Sequence, residues 1–207
     1  MHNSTAAITC YFCPMTNFET LRHIIQNRRS SKPALMNGKQ IDDSIIKQLL
    51  ELTDWAPTHG HTEPWRFVVY AGEKIKQFCS DHAELYKANT LVEKFQTATY
   101  EKLQHQGDKL SHLILVYMKR GNNPKIPALE EMAAVSCAVQ NFLLGASALD
   151  IAVLWGSGGM TYHAAMKKYL NLSEEDIMMG ILYLGYTDET VKEGKRIVPL
   201  TEKVTWK

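Results

Sequence analysis

Cysteine is scarce and scattered in this chain, with four in 207 residues, at positions 10, 13, 79 and 137. So few, so irregularly spaced, do not make a secreted disulfide framework, which points to a reducing, cytoplasmic setting. Charge of one sign is missing too. With 23 Lys plus Arg against 22 Asp plus Glu the formal net charge is +1, so nothing global draws the protein to nucleic acid or to an anionic bilayer. Any phosphate recognition must be local. Long apolar runs are absent: the richest stretch, Met132 to Trp155, is broken by Ser136, Gln140, Asn141, Ser147 and Asp150, and reads as a buried helix plus a strand, with no membrane span. Met1 to Pro14 lacks the positive start and apolar run of a secretory leader. Residues 1–16 therefore read as a poorly ordered extension, with Met15 a candidate natural start, and residues 17–207 as the domain proper. Cys10-x-x-Cys13 has the spacing of half a zinc site, but no second pair matches it and the reading is incidental.

What is present is an ordinary globular balance, 45 % apolar and 22 % charged, long enough for one domain with a real core. Thr16 and Glu19 have capping-box spacing before Phe18, Leu21, Ile24 and Ile25, which predicts a helix over Asn17–Arg28 that ends in a basic cluster. A second helix starts near Asp42 or Asp43 and stops before Pro57. Trp65–Tyr70 reads as a strand, Glu73–Lys87 and Leu91–Gln104 as polar helices, and His112–Met118 as another strand. The helix over Leu129–Leu149 is small and apolar around nearly its whole circumference. It needs neighbours on every side, and the same helix of a second subunit is one available neighbour. Ile151–Trp155 and Ile177–Leu184 are continuous apolar runs, as in strands of a sheet covered on both faces, with a short helix at His163–Leu170 between them. The polar stretch Thr187–Lys207 ends in Val204-Thr205-Trp206, suited to adding a strand to a partner's sheet. With no repeat or linker, the elements describe one α+β domain.

Few residues suggest chemistry individually. Arg28-Arg29-Ser30 at a helix end forms a fork for a phosphate or a flavin carbonyl, although a helix-terminal arginine more commonly meets only the dipole and solvent. Lys195-Arg196 is a second basic pair, and convergence of the two pairs would raise the weight of both. Gly156-Ser157-Gly158-Gly159 follows a strand, where bare backbone N–H groups can approach an anion or a flat ring; a simple tight turn is the plainer reading. It is neither a Rossmann fingerprint nor a P-loop, and no nucleophile elbow supports a hydrolase. His59-Gly60-His61 has the wrong spacing for a zinc-holding helix face, so hydrogen bonding to a ligand outranks metal. Cys79 and Cys137 read as buried, inert thiols.

Four motifs in order, Asn27-Arg28-Arg29-Ser30, Trp55-Ala56-Pro57-Thr58-His59 with Glu63-Pro64-Trp65-Arg66-Phe67, Trp155-Gly156-Ser157-Gly158, and Gly180-Ile181-Leu182-Tyr183-Leu184-Gly185, resemble the nitroreductase family of FMN flavoproteins. The likeness spans residues 17–200 and is greatest to compact single-domain bacterial members. It implies a central, mostly antiparallel sheet covered by helices, and a homodimer with an exchanged C-terminal arm and FMN at the interface. It implies that Arg28, Arg29 and Ser30 hold the phosphate, ribityl and pyrimidine side, that Trp155, Gly156 and Ser157 line the isoalloxazine, and that Lys195 or Arg196 reaches the phosphate. Trp55 and His59 correspond to a loop that the other subunit contributes, His61 is a further candidate cofactor-binding residue, and Trp65 corresponds to core. Trp55, His61 and Glu63 depart from residues common in the family.

The implied activity is a two-step exchange in which NAD(P)H reduces FMN and an electron-poor small molecule, a nitroaromatic or quinone, then takes the electrons. No protein group stands out as a catalytic nucleophile or acid, so solvent supplies protons. Three alternatives stay open: a flavin-binding module for storage or sensing with little turnover, a different flavin redox reaction on a metabolite, and a cofactor-free dimeric scaffold.

Overall fold

The capping box at the start of the first helix forms as its spacing requires. In the computed structural model, which describes residues 15–190 and 192–207, Glu19 N–H donates to Thr16 Oγ1 at 3.2 Å and Thr16 N–H donates to Glu19 at 2.9 Å. Cys10, Cys13 and nearly all of the proposed extension lie outside the described residues. Helix α1 runs Asn17–Asn27, followed by α2 (Asp43–Thr53), β1 (Trp65–Ala71), α3 (Glu73–Asn89), α4 (Thr97–His105), β2 (His112–Met118), α5 (Ala128–Ala148), β3 (Ala152–Gly156), α6 (Ala164–Tyr169) and β4 (Ile177–Gly185).

One expected helix is shorter than the pattern suggests. Over 91–104 the chain makes a single 3-10 turn at Val92–Lys94, turns extended at Phe95, and only then enters α4. The cause is non-local: the Phe95 ring stacks on Tyr86 at 5.5 Å, and the Tyr86 hydroxyl accepts the Gln96 N–H at 3.1 Å, replacing helical bonds.

The four strands form one sheet in the order β1-β2-β4-β3, every neighbouring pair antiparallel. Alternation along β2 divides the core. Ile114, Val116 and Met118 pack with Ile46 and Leu49 of α2 and Val135, Val139 and Phe142 of α5, while Leu113 and Leu115 pack with Ile75 and Phe78 of α3 and Met166 of α6. Both faces are covered, which is why β2 and β4 are apolar without alternating. Each fully buried Leu or Ile contributes about 1.5–3 kcal/mol to this arrangement.

Several apolar surfaces have no cover within a single chain. Helix α1 buries no residue and exposes Phe18, Leu21 and Ile25 on one stripe. Helix α5 buries Ala134, Val135, Ala138, Val139 and Phe142 but leaves Leu129, Ala133, Cys137 and Gln140 exposed. Cys137 was expected to be buried on the strength of its helix's composition; it faces outward because the helix is covered on one side only. Cys79 is buried, and desolvation pushes its thiol up to about 11. The C-terminal stretch has a bridge from Thr187 to Met36 and a 3-10 turn at Leu200–Glu202 but no strand among the described residues, and Trp206 is 93 % exposed.

Candidate functional site

Strand β3 lies at the end of the sheet order, and both ends of the site are built along it. As the chain leaves α1, Ser30 bridges Val153 in parallel and Ser31 N–H donates to the Val153 carbonyl at 3.1 Å. This lays Arg28-Arg29-Ser30 against the free edge of β3. Arg28 caps the helix with its own N–H, which donates to the Ile24 carbonyl at 2.9 Å. Arg29 is partly committed to backbone: its Nη1 donates to the carbonyls of Gln26 at 2.6 Å and Arg28 at 2.9 Å, and its Nε donates to the carbonyl of Lys192 at 2.9 Å. Gly194 lies so near the same guanidinium that a Cβ there would overlap it. Lys195 and Arg196 follow directly. Arg29 thus clamps the C-terminal arm to the helix end through Lys192 and Gly194, one residue before the second basic pair.

The other end of β3 carries Trp155, Gly156 and Ser157. The β2–β4 register slips between Val116, which faces Gly180, and Tyr117, which faces Met178, so Met179 is an extra residue in β4. This bulge presents the Met179 carbonyl to the Trp155 indole, whose Nε1–H donates to it at 2.9 Å. Gly180, at φ +138°, completes the seat: a Cβ there would strike the indole. Beside the indole opens a cavity of about 500 Å³ whose walls include Met132, Trp155, Tyr162, Lys167, Asp176 and Met179. That size and apolar lining suit a flat aromatic guest. Lys167 Nζ donates to the Glu174 carbonyl at 2.6 Å, and the Asp176 carboxylate accepts the N–H groups of Arg120 and Ser173, each at 2.9 Å. These bonds hold the Asp176 carboxyl below its ordinary range even though burial opposes them.

After β3 the glycine loop is fixed from one side. His82 of α3 accepts the Met160 N–H at 2.8 Å, and Thr161 Oγ1 donates to the Gly158 carbonyl at 2.6 Å. Gly158 itself has nothing within 4 Å of where a Cβ would be. The loop therefore presents open backbone, the cradle that a planar or anionic group requires.

Trp55, His59 and His61 do not line this cavity. Trp55 is 84 % exposed beyond the end of α2, and His59 Nδ1 pairs with Glu130 Oε2 at 2.6 Å beside the start of α5. Gly60, His61 and Glu63 all have left-handed φ, at 58°, 54° and 41°, held by Arg66 Nη1, which donates to the Glu63 carbonyl at 2.7 Å. Trp65 is buried, as expected, with its indole donating to Asp54 at 3.0 Å. Behind the cavity, Glu131 forms a buried ion pair with Arg120 and accepts the Gly121 N–H at 3.1 Å. Among the described residues no three His, Cys, Asp or Glu side chains cluster as a metal site, and no helix is long and apolar enough to cross a membrane.

A family model described as the Nitroreductase family matches residues 25–186, which include the Arg28 fork, Trp155, the glycine loop and all four strands. The chain belongs to the nitroreductase family. Among its relatives is a Bacillus subtilis (strain 168) protein named "Putative NAD(P)H nitroreductase YfhC", 28 % identical over 188 residues, covering 89 % of this chain and 93 % of that one. The crystal structure of a nitroreductase-like family protein from Bacillus cereus superposes with a TM-score of 0.79 at 28 % identity, covering 93 % of this chain and 98 % of the other. The FMN and NADPH-dependent nitroreductase NfnB from Sphigopyxis sp. strain HMH shares the fold at a TM-score of 0.69 and 19 % identity, covering 90 % and 98 %. His82, Met132, Tyr162, Lys167, Asp176 and Met179 carry no motif that marks them as site residues. The apolar runs Met132–Trp155 and Ile177–Leu184 include Met132 and Met179, while the others are brought in from separate elements.

Proposed function

We propose that the chain is a cytoplasmic, homodimeric FMN-dependent oxidoreductase that uses NAD(P)H to reduce nitroaromatics, quinones or similar electron-poor small molecules. One observation carries the reading: a single strand, β3, has the basic Arg28-Arg29-Ser30 segment beside Val153 and an apolar cavity with open glycine backbone beyond Trp155. A ligand with an anionic tail and a flat aromatic head matches both ends at once. The names of relatives support the choice, since NfnB is FMN and NADPH-dependent and YfhC carries an NAD(P)H nitroreductase name.

FMN, when bound, would supply the hydride chemistry between nicotinamide and acceptor. The protein's part is binding, orientation and electrostatics. Arg28, Lys195 and Arg196 hold the phosphate, while Arg29 keeps the arm in place and, with Ser30, faces the ribityl and pyrimidine side. Backbone N–H groups of Gly156–Gly158 meet the ring, and the Trp155 indole, locked by Met179, walls it. Positive charge near the pyrimidine edge favours uptake of electrons there. The uncovered stripes of α1 and α5 pack on a second copy, whose Trp55, His59 and His61 reach the site that their own chain leaves alone.

Anaerobic stopped-flow mixing of the flavin-loaded protein with NADH and with NADPH tests the reading. Rapid bleaching of the yellow colour, reversed by a nitroaromatic or quinone, is the expected result. Yellow protein that neither nucleotide bleaches is a storage or sensing module, and colourless protein that ignores added FMN removes flavin from the account.

A further inference from the structure

Histidine 82 sits in the middle of α3, far from every motif, and is 2 % exposed. Burying an imidazole is unfavourable unless its polar atoms are bonded, so an apolar side chain is the ordinary occupant of such a position. Its ring packs on Phe78, with centroids 5.6 Å apart, and its Nε2 accepts the backbone N–H of Met160 at 2.8 Å. Accepting at Nε2 leaves the proton on Nδ1, so the ring is neutral. The loop lies flat against it. At Gly159, φ +62°, a Cβ would come within 2.6 Å of His82 Nε2, 2.9 Å of its Cε1 and 2.8 Å of Leu103 Cδ2. One residue earlier, the Gly158 carbonyl is held by Thr161 Oγ1 at 2.6 Å, while the space over Gly158 is open. The loop is thus pinned along one side and vacant along the other.

We propose that His82 is a positioning residue for the cofactor: by accepting the Met160 N–H it sets the path of Gly156–Gly159, and so the direction of the backbone groups that meet the flavin ring. The inference rests on the proposed FMN site. Donors held in place before the ligand arrives bind it without reorganising, which is what a rigid support behind a flexible glycine loop provides. Local bonds fix parts of this run, since Gly156 pairs in β3 and Thr161 holds the Gly158 carbonyl; His82 adds a restraint from 78 positions away that seats the far end of the loop at Met160.

The test compares His82→Leu, which fills the space without an acceptor, with His82→Gln, whose amide oxygen can still accept from Met160. The measurements are the rate of FMN release, the visible circular dichroism of bound flavin, and amide hydrogen exchange at Met160. The Leu variant is expected to release FMN on the order of tenfold faster, with an altered flavin spectrum and faster exchange at Met160, and the Gln variant to restore all three. Gly159→Ala, whose methyl would press on the imidazole and push the loop off it while residue 82 stays histidine, is expected to mimic the Leu variant and replaces it if that protein does not fold. A folded Leu or Ala variant with unchanged release and spectrum overturns the proposal, and so does equal damage from Leu and Gln, which marks a packing role. If the unsubstituted protein binds no FMN, the functional reading fails on its own; Met160 exchange then decides whether His82 holds the loop.

Discussion

Substituting Gly180 by alanine attacks the point where sheet geometry becomes site geometry. The residue has φ +138°, a conformation that L side chains rarely adopt, and its new methyl would overlap the Trp155 indole, lying 2.7 Å from Cδ1 and 3.0 Å from the Gly156 carbonyl oxygen. The indole has little room to retreat, because Nε1 is bonded to Met179 and the ring packs against the core beneath α5. Three costs follow: backbone strain of about 1–3 kcal/mol, overpacking of about 1–3 kcal/mol, and about 1 kcal/mol if the indole swings away from Met179. Since they overlap, a total below their sum, roughly 2–5 kcal/mol, is expected, a large share of the roughly 5–15 kcal/mol that holds a typical domain together. Urea unfolding followed by tryptophan fluorescence measures it, and near-ultraviolet circular dichroism reports the indole. Gly158→Ala is the control: with nothing within 4 Å and no left-handed φ, it is expected to shift stability by no more than about 1 kcal/mol. A Gly180→Ala protein within about 1 kcal/mol of the parent, with its indole signal intact, would refute the seat described for Trp155.

Other outcomes follow from buried polar groups and from the uncovered faces. Burial lowers the His82 pKa from 6.5 to about 4, so the unfolded chain takes up the proton first as pH falls; the stabilisation is complete above pH 6.5 and is lost towards pH 4. That amounts to about 3 kcal/mol, and urea midpoints taken across this range should fall more steeply in the parent than in His82→Gln, whose remaining slope comes from carboxylates such as Asp176. Glu131 is 1 % exposed at its side chain and neutralises Arg120, so Glu131→Ala, which strands a half-buried guanidinium, is expected to cost about 3–5 kcal/mol in the same assay. A loss below about 1 kcal/mol contradicts the pairing. Ala133→Arg puts a charge on the exposed face of α5; it should leave the helical content of the single chain unchanged yet abolish association, as read by light scattering.

Local chemistry explains which parts were legible in advance. The Thr16–Glu19 box, the Asp42 cap, the apolar strands and the glycine loop each carry their signal within a few residues, and they form where expected. What escaped depends on distant partners. Phe95 interrupts a helix pattern because Tyr86 stacks on it. The sequence around Arg29 offers an anion fork or a solvated helix end, and neither reveals that a carbonyl at Lys192 takes one of its donors. His82 has no motif at all, since its meaning lies in the N–H of Met160. Trp155 was singled out by resemblance, whereas the Met179 bulge that locks it is a property of register, invisible in a run of apolar residues.

The central claim is that two copies of this chain enclose FMN. Sedimentation of the FMN-supplemented protein, followed at protein and flavin wavelengths together and repeated with Ala133→Arg, tests it most directly. One dimer-sized boundary carrying the yellow colour is expected, and single chains without it in the variant. A single-chain species that keeps the flavin, or a dimer that stays colourless, would contradict it.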